Sequence, residues 1–123
     1  MPLLALVSVV LFSSAGNAES QARKLAQDDV VQLLVGNSIK GKDQRGQYFE
    51  QAYPDATNTR GQFMGRRVVY GSWSVNRSGL YCEVWDGSKS CYEIFHASDD
   101  KYELRGEGRV YSITVVRNKM LIH

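Results

Sequence analysis

The sequence contains few of the residues on which most catalytic and metal sites depend. Among its 123 residues are only two cysteines and two histidines. Zinc sites usually take about four ligands, often in Cys-x-x-Cys spacing, which this chain lacks. No glycine-rich loop joins a strand to a helix, so no nucleotide site is indicated, and the stretch after Pro54 lacks the carboxylate density of a calcium loop. These absences predict a protein without a metal or a cofactor.

The chain also lacks a clear excess of charge of either sign. The chain has 15 Lys and Arg against 13 Asp and Glu, a net charge of +2, and the two signs are interspersed. Proteins that bind nucleic acid concentrate positive charge on one face, so a nucleic-acid partner is not indicated. No apolar stretch approaches the roughly 20 residues of a membrane-spanning helix, and we expect no membrane span in the mature chain.

The longest apolar run, LLALVSVVLF, occupies residues 3–12. Gly16 and Ala18 follow it, as small residues at the −3 and −1 positions of a cleavage site. A short apolar core before such a site is typical of a secretory signal peptide, although no Lys or Arg precedes it here; the alternative is a buried N-terminal helix or strand. We expect a signal peptide at 1–18, a single domain at 19–123 and a periplasmic or secreted location.

The remaining pattern predicts one helix followed by short strands. Apolar positions between Ser20 and Val35 recur with helical spacing, Ser20 can cap the start, with a restart near Asp28 as an option, and Gly36 lies where a left-handed residue ends a helix. From Ser38 onward, β-branched and aromatic residues alternate with turn clusters at intervals of about eight to twelve residues. The predicted fold is mainly β: an antiparallel β-barrel or sandwich of about seven or eight short strands, with the N-terminal helix packed on it.

Two strands show clear alternation of apolar and polar residues. In Arg67–Val75, Trp73 shares a face with the other apolar residues, whereas the serines point the opposite way. In Arg109–Val116, Tyr111 and Ile113 share a face in the same manner. Such alternation indicates that one face is buried and the other meets water.

The strongest local prediction is a hairpin closed by a disulfide between Cys82 and Cys91. Asp86-Gly87 favours a two-residue type I′ turn. With that turn, Trp85 pairs with Ser88, and counting outward places the two cysteines at a non-hydrogen-bonded pair, where Cα atoms approach most closely. An exported protein normally has such a pair bonded. A metal pair or a redox pair usually needs Cys-x-x-Cys; an exposed, reducible form of the same bond stays open.

The same hairpin supplies the candidate binding residues. Tyr81, Trp85 and Tyr92 share one apolar face, and Leu80 and Val84 lie on the disulfide face. One face must belong to the core, and the other can be exposed. Because exposed apolar patches mark interaction sites, the first three residues form a candidate binding patch, unless a helix or a barrel interior covers them.

No catalytic residue is assigned from the sequence. His96 at a strand end is expected to be a surface residue, and no serine lies in a nucleophile elbow. Paired carboxylates can hydrolyse glycosides, but salt-bridged or solvated strand faces explain the glutamates on predicted strands more simply. These are Glu50, Glu83, Glu93 and Glu103.

Several motifs resemble a family of small exported proteobacterial proteins carried as a domain of unknown function. The resemblance spans roughly residues 28–118, with glycines of the family replaced by Ala56 and Arg117. It implies an exported antiparallel β domain and carries over no catalytic residue. The matching elements are Leu34-Val35-Gly36-Asn37-Ser38, Gly71-Ser72-Trp73, the Cys82 and Cys91 strand pair with Tyr92, and Val115-Val116-Arg117-Asn118.

A looser likeness runs to bacterial inhibitors of lysozyme or of secreted metalloproteases, which are also small exported β-barrels with one disulfide. It is carried by Trp73-Ser74-Val75 and Tyr81-Cys82-Glu83. The predicted function is therefore an exported, non-enzymatic binding module, in its sharpest version an inhibitor of a lysozyme or secreted protease. Its partner would be such a hydrolase or a small ligand. The alternatives are a carboxylate-based periplasmic hydrolase and a hollow barrel that carries a small ligand.

Overall fold

The computed structural model describes residues 22–123. The predicted signal peptide at 1–18 and the predicted cap at Ser20 lie outside the described residues. The described chain forms β1 Arg23–Lys24, α1 Gln27–Leu34, β2 Ser38–Lys42, β3 Tyr48–Ala52, β4 Asn58–Phe63, β5 Val69–Val75, β6 Tyr81–Trp85, β7 Ser88–Ser98, β8 Lys101–Gly106 and β9 Arg109–Val116.

The strands β2 to β9 close into an antiparallel barrel. Each pairs with the strand that follows it in the sequence, and β9 pairs back with β2, with Ser38 opposite Val116. The short β1 pairs with β7 at Phe95 and His96, beyond the part of β7 that pairs with β6. Arg23 lies opposite His96. The predicted mainly β fold, with one N-terminal helix, is confirmed, and its barrel form is the observed one. Closure removes the free sheet edges that an open sandwich would have.

Side chains along each strand point alternately into the barrel and out to solvent, so the inward set forms the core. β9 has the bounds that the pattern predicted, and its Ile113 is buried. β5 begins at Val69 rather than at Arg67; within it Trp73 is only 4% exposed, and the serines on either side face solvent. The period of two in the sequence therefore reports the inner and outer faces of the barrel wall.

The disulfide hairpin has the predicted register. Cys82 lies opposite Cys91, and Trp85 lies opposite Ser88. The turn residues of Asp86-Gly87 have φ values of 51° and 81°, both positive as a type I′ turn requires. The Cα atoms of the cysteines are 4.0 Å apart and their sulfurs are bonded. The predicted disulfide is confirmed.

Within the described residues, the helix begins at Gln27 rather than before it, so the expectation of a helix between Ser20 and Val35 is wrong for residues 22–26. Arg23–Lys24 pairs with β7 instead, and the N–H of Leu25 donates to the carbonyl of Ile94 at 2.8 Å. Leu25 is buried in this extended conformation. Its helical spacing could not distinguish the two conformations, because only pairing with a distant strand decides between them.

The helix α1 closes one end of the barrel. Asp29 Oδ2 accepts the N–H of Ala26 at the start of the helix at 3.1 Å, close to the restart that the sequence allowed near Asp28. Gln27 Nε2 donates to the carbonyl of Val75, at the end of β5, at 2.9 Å. The apolar face of the helix is buried in the core through Val30, Leu33 and Leu34.

The segment after the helix ties this end of the barrel to the C-terminal tail. Gly36 has a φ of 81°, the left-handed conformation predicted for this position. Asn37 Oδ1 accepts the N–H of Asn118 at 2.7 Å, and Ser38 Oγ donates to the carbonyl of Lys119 at 2.6 Å. Asn37 and Ser38 are buried, so these bonds satisfy groups that would otherwise destabilise the fold.

Candidate functional site

A cavity of about 140 Å³ lies at the end of the barrel opposite α1. Part of its rim comes from the turn between β2 and β3, through Asp43 and Gln47. Tyr48 at the start of β3 and Met64 just after β4 complete that side. These positions are at the strand ends remote from Val75, where α1 is anchored. The barrel is therefore filled at one end and hollow at the other.

A belt of five aromatic side chains surrounds the hollow end. Phe63 stacks on Phe49 with ring centroids 6.2 Å apart, and Phe49 meets Tyr111 edge to face at 6.0 Å. Tyr111 meets Tyr92 at 5.7 Å, and Trp85 meets Phe63 at 5.4 Å, both edge to face. These are favoured geometries for aromatic pairs. The aromatic belt gives the cavity an apolar wall of fixed shape.

A cluster of hydrogen-bonded polar side chains forms the floor of the cavity and continues beneath it. Tyr81 donates its hydroxyl to Glu83 Oε2 at 2.7 Å, and Gln51 Nε2 donates to the same oxygen at 3.1 Å. Tyr53 and Tyr81 share a hydrogen bond of 2.8 Å between their hydroxyls. Thr59 accepts from Gln51 at 3.1 Å and donates to a backbone carbonyl. We call these five residues the tyrosine–glutamate cluster.

Burial and the carboxylate together control the acidity of the tyrosines. Burial raises the pKa of both Tyr53 and Tyr81 well above its ordinary value, and the negative charge of Glu83 raises each further. Burial, followed by the neighbouring Tyr111 and Glu83, raises the pKa of Tyr92 to about 12. All three hydroxyls therefore remain protonated at neutral pH, and that of Tyr81 donates to the carboxylate.

Glu83 is the charged group on the floor of the cavity. Its Oε2 accepts two hydrogen bonds, whereas no described residue donates to Oε1. The ion pairs among residues 22–123 do not include Glu83. The side chain is half-buried and lines the cavity. One oxygen of a charged carboxylate is therefore left for a group that enters from solvent.

Two glycines on the inner wall make room for Trp85. A Cβ atom at Gly71 would lie 2.7 Å from the indole and 2.5 Å from the carbonyl of Val84, and one at Gly61 would lie 3.0 Å from the indole. The indole therefore lies flat against β4 and β5. Its N–H is buried and has no hydrogen-bond partner among the described residues.

The candidate binding residues from the sequence are brought together inside the barrel. Tyr81 is fully buried and Tyr92 is 5% exposed, so Tyr81, Trp85 and Tyr92 do not form an exposed patch, and a binding role for them stays a prediction. The stated alternative, a barrel interior that covers them, is the observed arrangement. Tyr92 lines the cavity, Trp85 belongs to the aromatic belt, and Tyr81 holds Glu83 from beneath.

The glutamates do not converge in one site. Glu50 accepts from the hydroxyl of Tyr48 at 2.6 Å, Glu93 pairs with Lys24 at 3.0 Å, and Glu103 pairs with Arg105 at 2.7 Å. These three are on the outer face of the barrel, as their alternation with inward residues requires. Of the four glutamates considered, Glu83 alone lines the cavity.

The sequence alone did not identify the tyrosine–glutamate cluster or most of the aromatic belt. For the residues on β6, however, a usable pattern was present in the sequence. Glu83 lies between Tyr81 and Trp85 on alternate positions of one strand, and a period of two puts all three on the same face. Gln51 had no comparable signal, because its role depends on β6 lying across the barrel from β3.

The rim of the cavity has charges of both signs. Asp43 Oδ1 accepts the N–H groups of Arg45 and Gln47, each at 2.9 Å, and so fixes the turn between β2 and β3. Arg109 Nη1 donates to the hydroxyl of Tyr111 at 3.2 Å. These side chains lie above the belt, at the entrance to the cavity.

His96 lies apart from the cavity. Its Nε2 is 2.9 Å from the carbonyl of Asp99 in the turn after β7, and its ring contacts Tyr102. Within residues 22–123, no three His, Cys, Asp or Glu side chains are grouped as a metal site would need. No helix in this part of the chain is long and apolar enough to cross a membrane.

Comparison with known proteins identifies no relative: no family model matches the chain, and neither a curated protein nor a solved structure is significantly similar to it. The geometry of the cavity is therefore the basis on which a function is assigned.

Proposed function

We propose that the protein is an exported, non-enzymatic binding module that takes its ligand in the cavity at the open end of the barrel. The observation that carries this proposal is the hollow end itself, with an aromatic wall and a carboxylate on its floor. A concave apolar site with a few convergent polar groups is the usual form of a ligand site. Its volume of about 140 Å³ is near that of a cavity that binds benzene, about 150 Å³.

This volume also bears on the alternatives. Carriers of drug-sized molecules have pockets of about 300–1,000 Å³, so the cavity suits a small molecule or one side chain of a partner. A carboxylate-based hydrolase pairs two Asp or Glu side chains in one pocket. Glu50, Glu93 and Glu103 have partners on the outer face. Asp43 lines the cavity together with Glu83, but its Oδ1 accepts two backbone N–H groups and fixes the turn between β2 and β3. Binding without catalysis is therefore the better-supported function.

Export is supported by the disulfide and by the N-terminal sequence. Disulfides form and persist in oxidising compartments such as the periplasm or the extracellular space, and Cys82 is bonded to Cys91. The apolar run at 3–12 is of the length that a signal peptide needs. A periplasmic or secreted location is therefore part of the proposal.

Inhibition of a lysozyme or a secreted protease is the sharpest version of the proposal. It is motivated by the likeness expected from Trp73-Ser74-Val75 and Tyr81-Cys82-Glu83, and a partner's side chain would fit the cavity by size. Calorimetric titration of the purified mature protein against lysozymes and secreted proteases tests this version. A dissociation constant below about 1 μM with loss of hydrolase activity is expected; no binding by any of these enzymes at that concentration contradicts the inhibitor version.

The broader proposal is tested by locating ligands in solution. Fragments of about six heavy atoms, with neutral, cationic and anionic members, are titrated into 15N-labelled protein, and amide shifts are followed by NMR. We expect amide shifts at the mouth residues, which are Tyr48 on β3, Phe63 on β4 and Tyr111 on β9. The larger side chain of Tyr111→Trp narrows the entrance to the cavity and should abolish these shifts.

The matched control is Tyr70→Trp, because Tyr70 is 69% exposed on the outer wall. This variant should bind the same fragments as the original protein. If no fragment of any charge shifts the mouth residues, or if Tyr111→Trp has no effect on binding, the proposed site is wrong.

A further inference from the structure

The geometry points to an organic cation as the ligand: an alkylammonium or guanidinium group that enters the cavity, pairs with Glu83 and is surrounded by the aromatic belt. This inference rests on the proposed function, because it names the chemical class of ligand for the same cavity. Three properties of the site carry it: the charge on the floor, the chemistry of the wall and the volume between them.

The floor is negative and incompletely paired. Glu83 is half-buried, and its Oε2 accepts from Gln51 at 3.1 Å and Tyr81 at 2.7 Å. Its Oε1 accepts from no described residue, and no Lys or Arg of residues 22–123 pairs with it. A carboxylate withdrawn from bulk water is stabilised by an opposite charge, and charge-assisted hydrogen bonds are among the strongest available. A cation at Oε1 supplies both.

The two donors on Oε2 also fix the direction of the carboxylate. Tyr81 is fully buried and itself hydrogen-bonded to Tyr53, so it cannot rotate away without leaving buried hydroxyls unpaired. Oε1 is therefore held in a fixed direction before a ligand arrives. Such preorganisation lowers the entropy lost when the ligand binds.

The wall attracts a cation. Phe49, Phe63, Tyr92 and Tyr111 all line the cavity. The faces of aromatic rings carry partial negative charge and attract ammonium and guanidinium groups. The donors of the belt are the tyrosine hydroxyls and the N–H of Trp85, so the carboxylate of Glu83 is the group that disfavours an anion. The Tyr111 hydroxyl already accepts from Arg109. An anion would meet the Glu83 carboxylate at the floor without compensation.

The volume limits the ligand to one cationic group and a short apolar portion. A cavity of about 140 Å³ accommodates about six heavy atoms, the size of benzene. A butylammonium ion has five, and the end of a lysine or arginine side chain is comparable. A free amine and a basic side chain of a partner protein therefore present the same chemistry to Glu83.

Two basic side chains, Arg45 and Arg109, line the polar opening beside the rim, and Arg109, which contacts Tyr111 of the cavity wall, must be considered as a competitor. Arg109 lies at the entrance, where its Nη1 donates to Tyr111 rather than to Glu83. In this position it adds a like charge near the path of an entering cation. Replacing it with glutamine should strengthen the binding of butylammonium, because a like charge is removed. If Arg109 instead held an anion, the replacement would weaken the binding of butyrate.

The test compares probes of similar size and different charge. Butylammonium, butanol and butyrate are titrated into the folded protein, and the shifts of mouth amides give each dissociation constant. We expect butylammonium to bind with a constant on the order of millimolar, and butanol and butyrate to bind more weakly. Glu83→Gln, which keeps the acceptor for Tyr81, should weaken butylammonium about tenfold to a hundredfold.

Glu93→Gln is the matched control, because it removes the same charge from the outer face, where Glu93 pairs with Lys24. It should leave the affinity for butylammonium unchanged. A second titration uses Nα-acetyl-lysine methylamide, which mimics a lysine within a polypeptide. If it binds at least as tightly as butylammonium, the cation comes from a side chain of a partner protein. If it does not bind, the ligand is a free amine.

The outcomes separate this inference from the proposed function. If butanol or butyrate binds at the mouth as tightly as butylammonium, or if Glu83→Gln and Glu93→Gln have the same affinity for butylammonium, the assignment of an organic cation as the ligand is wrong, while the cavity remains a ligand site. If none of the three probes shifts the mouth amides, both the cation assignment and the proposed ligand site are wrong. Circular dichroism of each variant confirms that a lost affinity is not a lost fold.

Discussion

Alkaline pH should destabilise this protein through the buried tyrosines beneath the cavity. The hydroxyls of Tyr53 and Tyr81 are 2.8 Å apart, both rings are fully buried, and Tyr81 donates to Glu83. A tyrosinate here would lose hydration and would face a carboxylate. The folded-state pKa of each is therefore raised well above its ordinary value, whereas in the unfolded chain a tyrosine titrates at about pH 10.

The sign of the effect follows from proton binding. Below pH 10 both states keep the phenolic protons, so the full stability is present. Above pH 10 the unfolded state releases protons that the folded state retains, so the free energy of unfolding falls until the folded-state pKa is reached. Each tyrosine contributes a loss of about 1.4 kcal/mol per pH unit. Tyr53 and Tyr81 together should therefore lower stability by about 3 kcal/mol between pH 9 and pH 11.

Urea unfolding followed by circular dichroism at several pH values measures this loss. Tyr53→Phe should reduce the slope above pH 10 by about 1.4 kcal/mol per pH unit. Tyr70→Phe should leave the slope as it is, because Tyr70 is 69% exposed. A free energy of unfolding that stays constant from pH 9 to pH 11, or equal slopes in the two variants, would refute the buried cluster.

Two further predictions concern the wall of the barrel. Replacing both Cys82 and Cys91 with serine opens a ring whose ends are 9 residues apart. Loop entropy predicts that the free energy of unfolding, measured with urea, falls by about 2.7 kcal/mol. A fall below about 1 kcal/mol would contradict a disulfide that constrains the unfolded chain. Gly71→Ala places a Cβ 2.5 Å from the carbonyl of Val84 and 2.7 Å from Trp85, so we expect a loss of about 1–3 kcal/mol; unchanged stability and unchanged Trp85 fluorescence would show that the indole does not lie there.

The local features of the fold were predictable because they depend on neighbours in sequence. The Asp86-Gly87 turn fixes the register that joins Cys82 to Cys91, and both were read from one twelve-residue stretch around the turn. Turn chemistry and side-chain alternation are short-range rules. The strand β9 was predicted with its observed bounds for the same reason.

Features that depend on distant contacts were not predictable in the same way. β2 pairs with β9 across more than half of the chain, and only that pairing distinguishes a closed barrel from a sandwich. Arg23–Lys24 was assigned to a helix because Leu25 fits helical spacing, and pairing with β7 overrides that pattern.

The candidate site was partly within reach of the sequence. Glu83 shares strand parity with Tyr81 and Trp85, but carboxylates are rarely found in an interior, so a solvated face was the simpler interpretation. Its inward position becomes clear only with Gln51, which belongs to a strand across the barrel. A charged residue on an apolar face of a strand is therefore the signal to weigh more heavily.

Cysteine accessibility on the inner wall tests most directly whether one end of the barrel is open and the other is sealed. Leu104 lines the cavity, whereas Val115 is 2% exposed on the inner wall opposite Ile39, at the end of the barrel where α1 joins β2. In the variants Leu104→Cys and Val115→Cys, the rates of reaction with ethylammonium and ethylsulfonate methanethiosulfonates are compared in the folded protein. We expect the thiol at 104 to react, and faster with the cationic reagent than with the anionic one, while the thiol at 115 reacts only on unfolding. Equal protection of both thiols would contradict a hollow end.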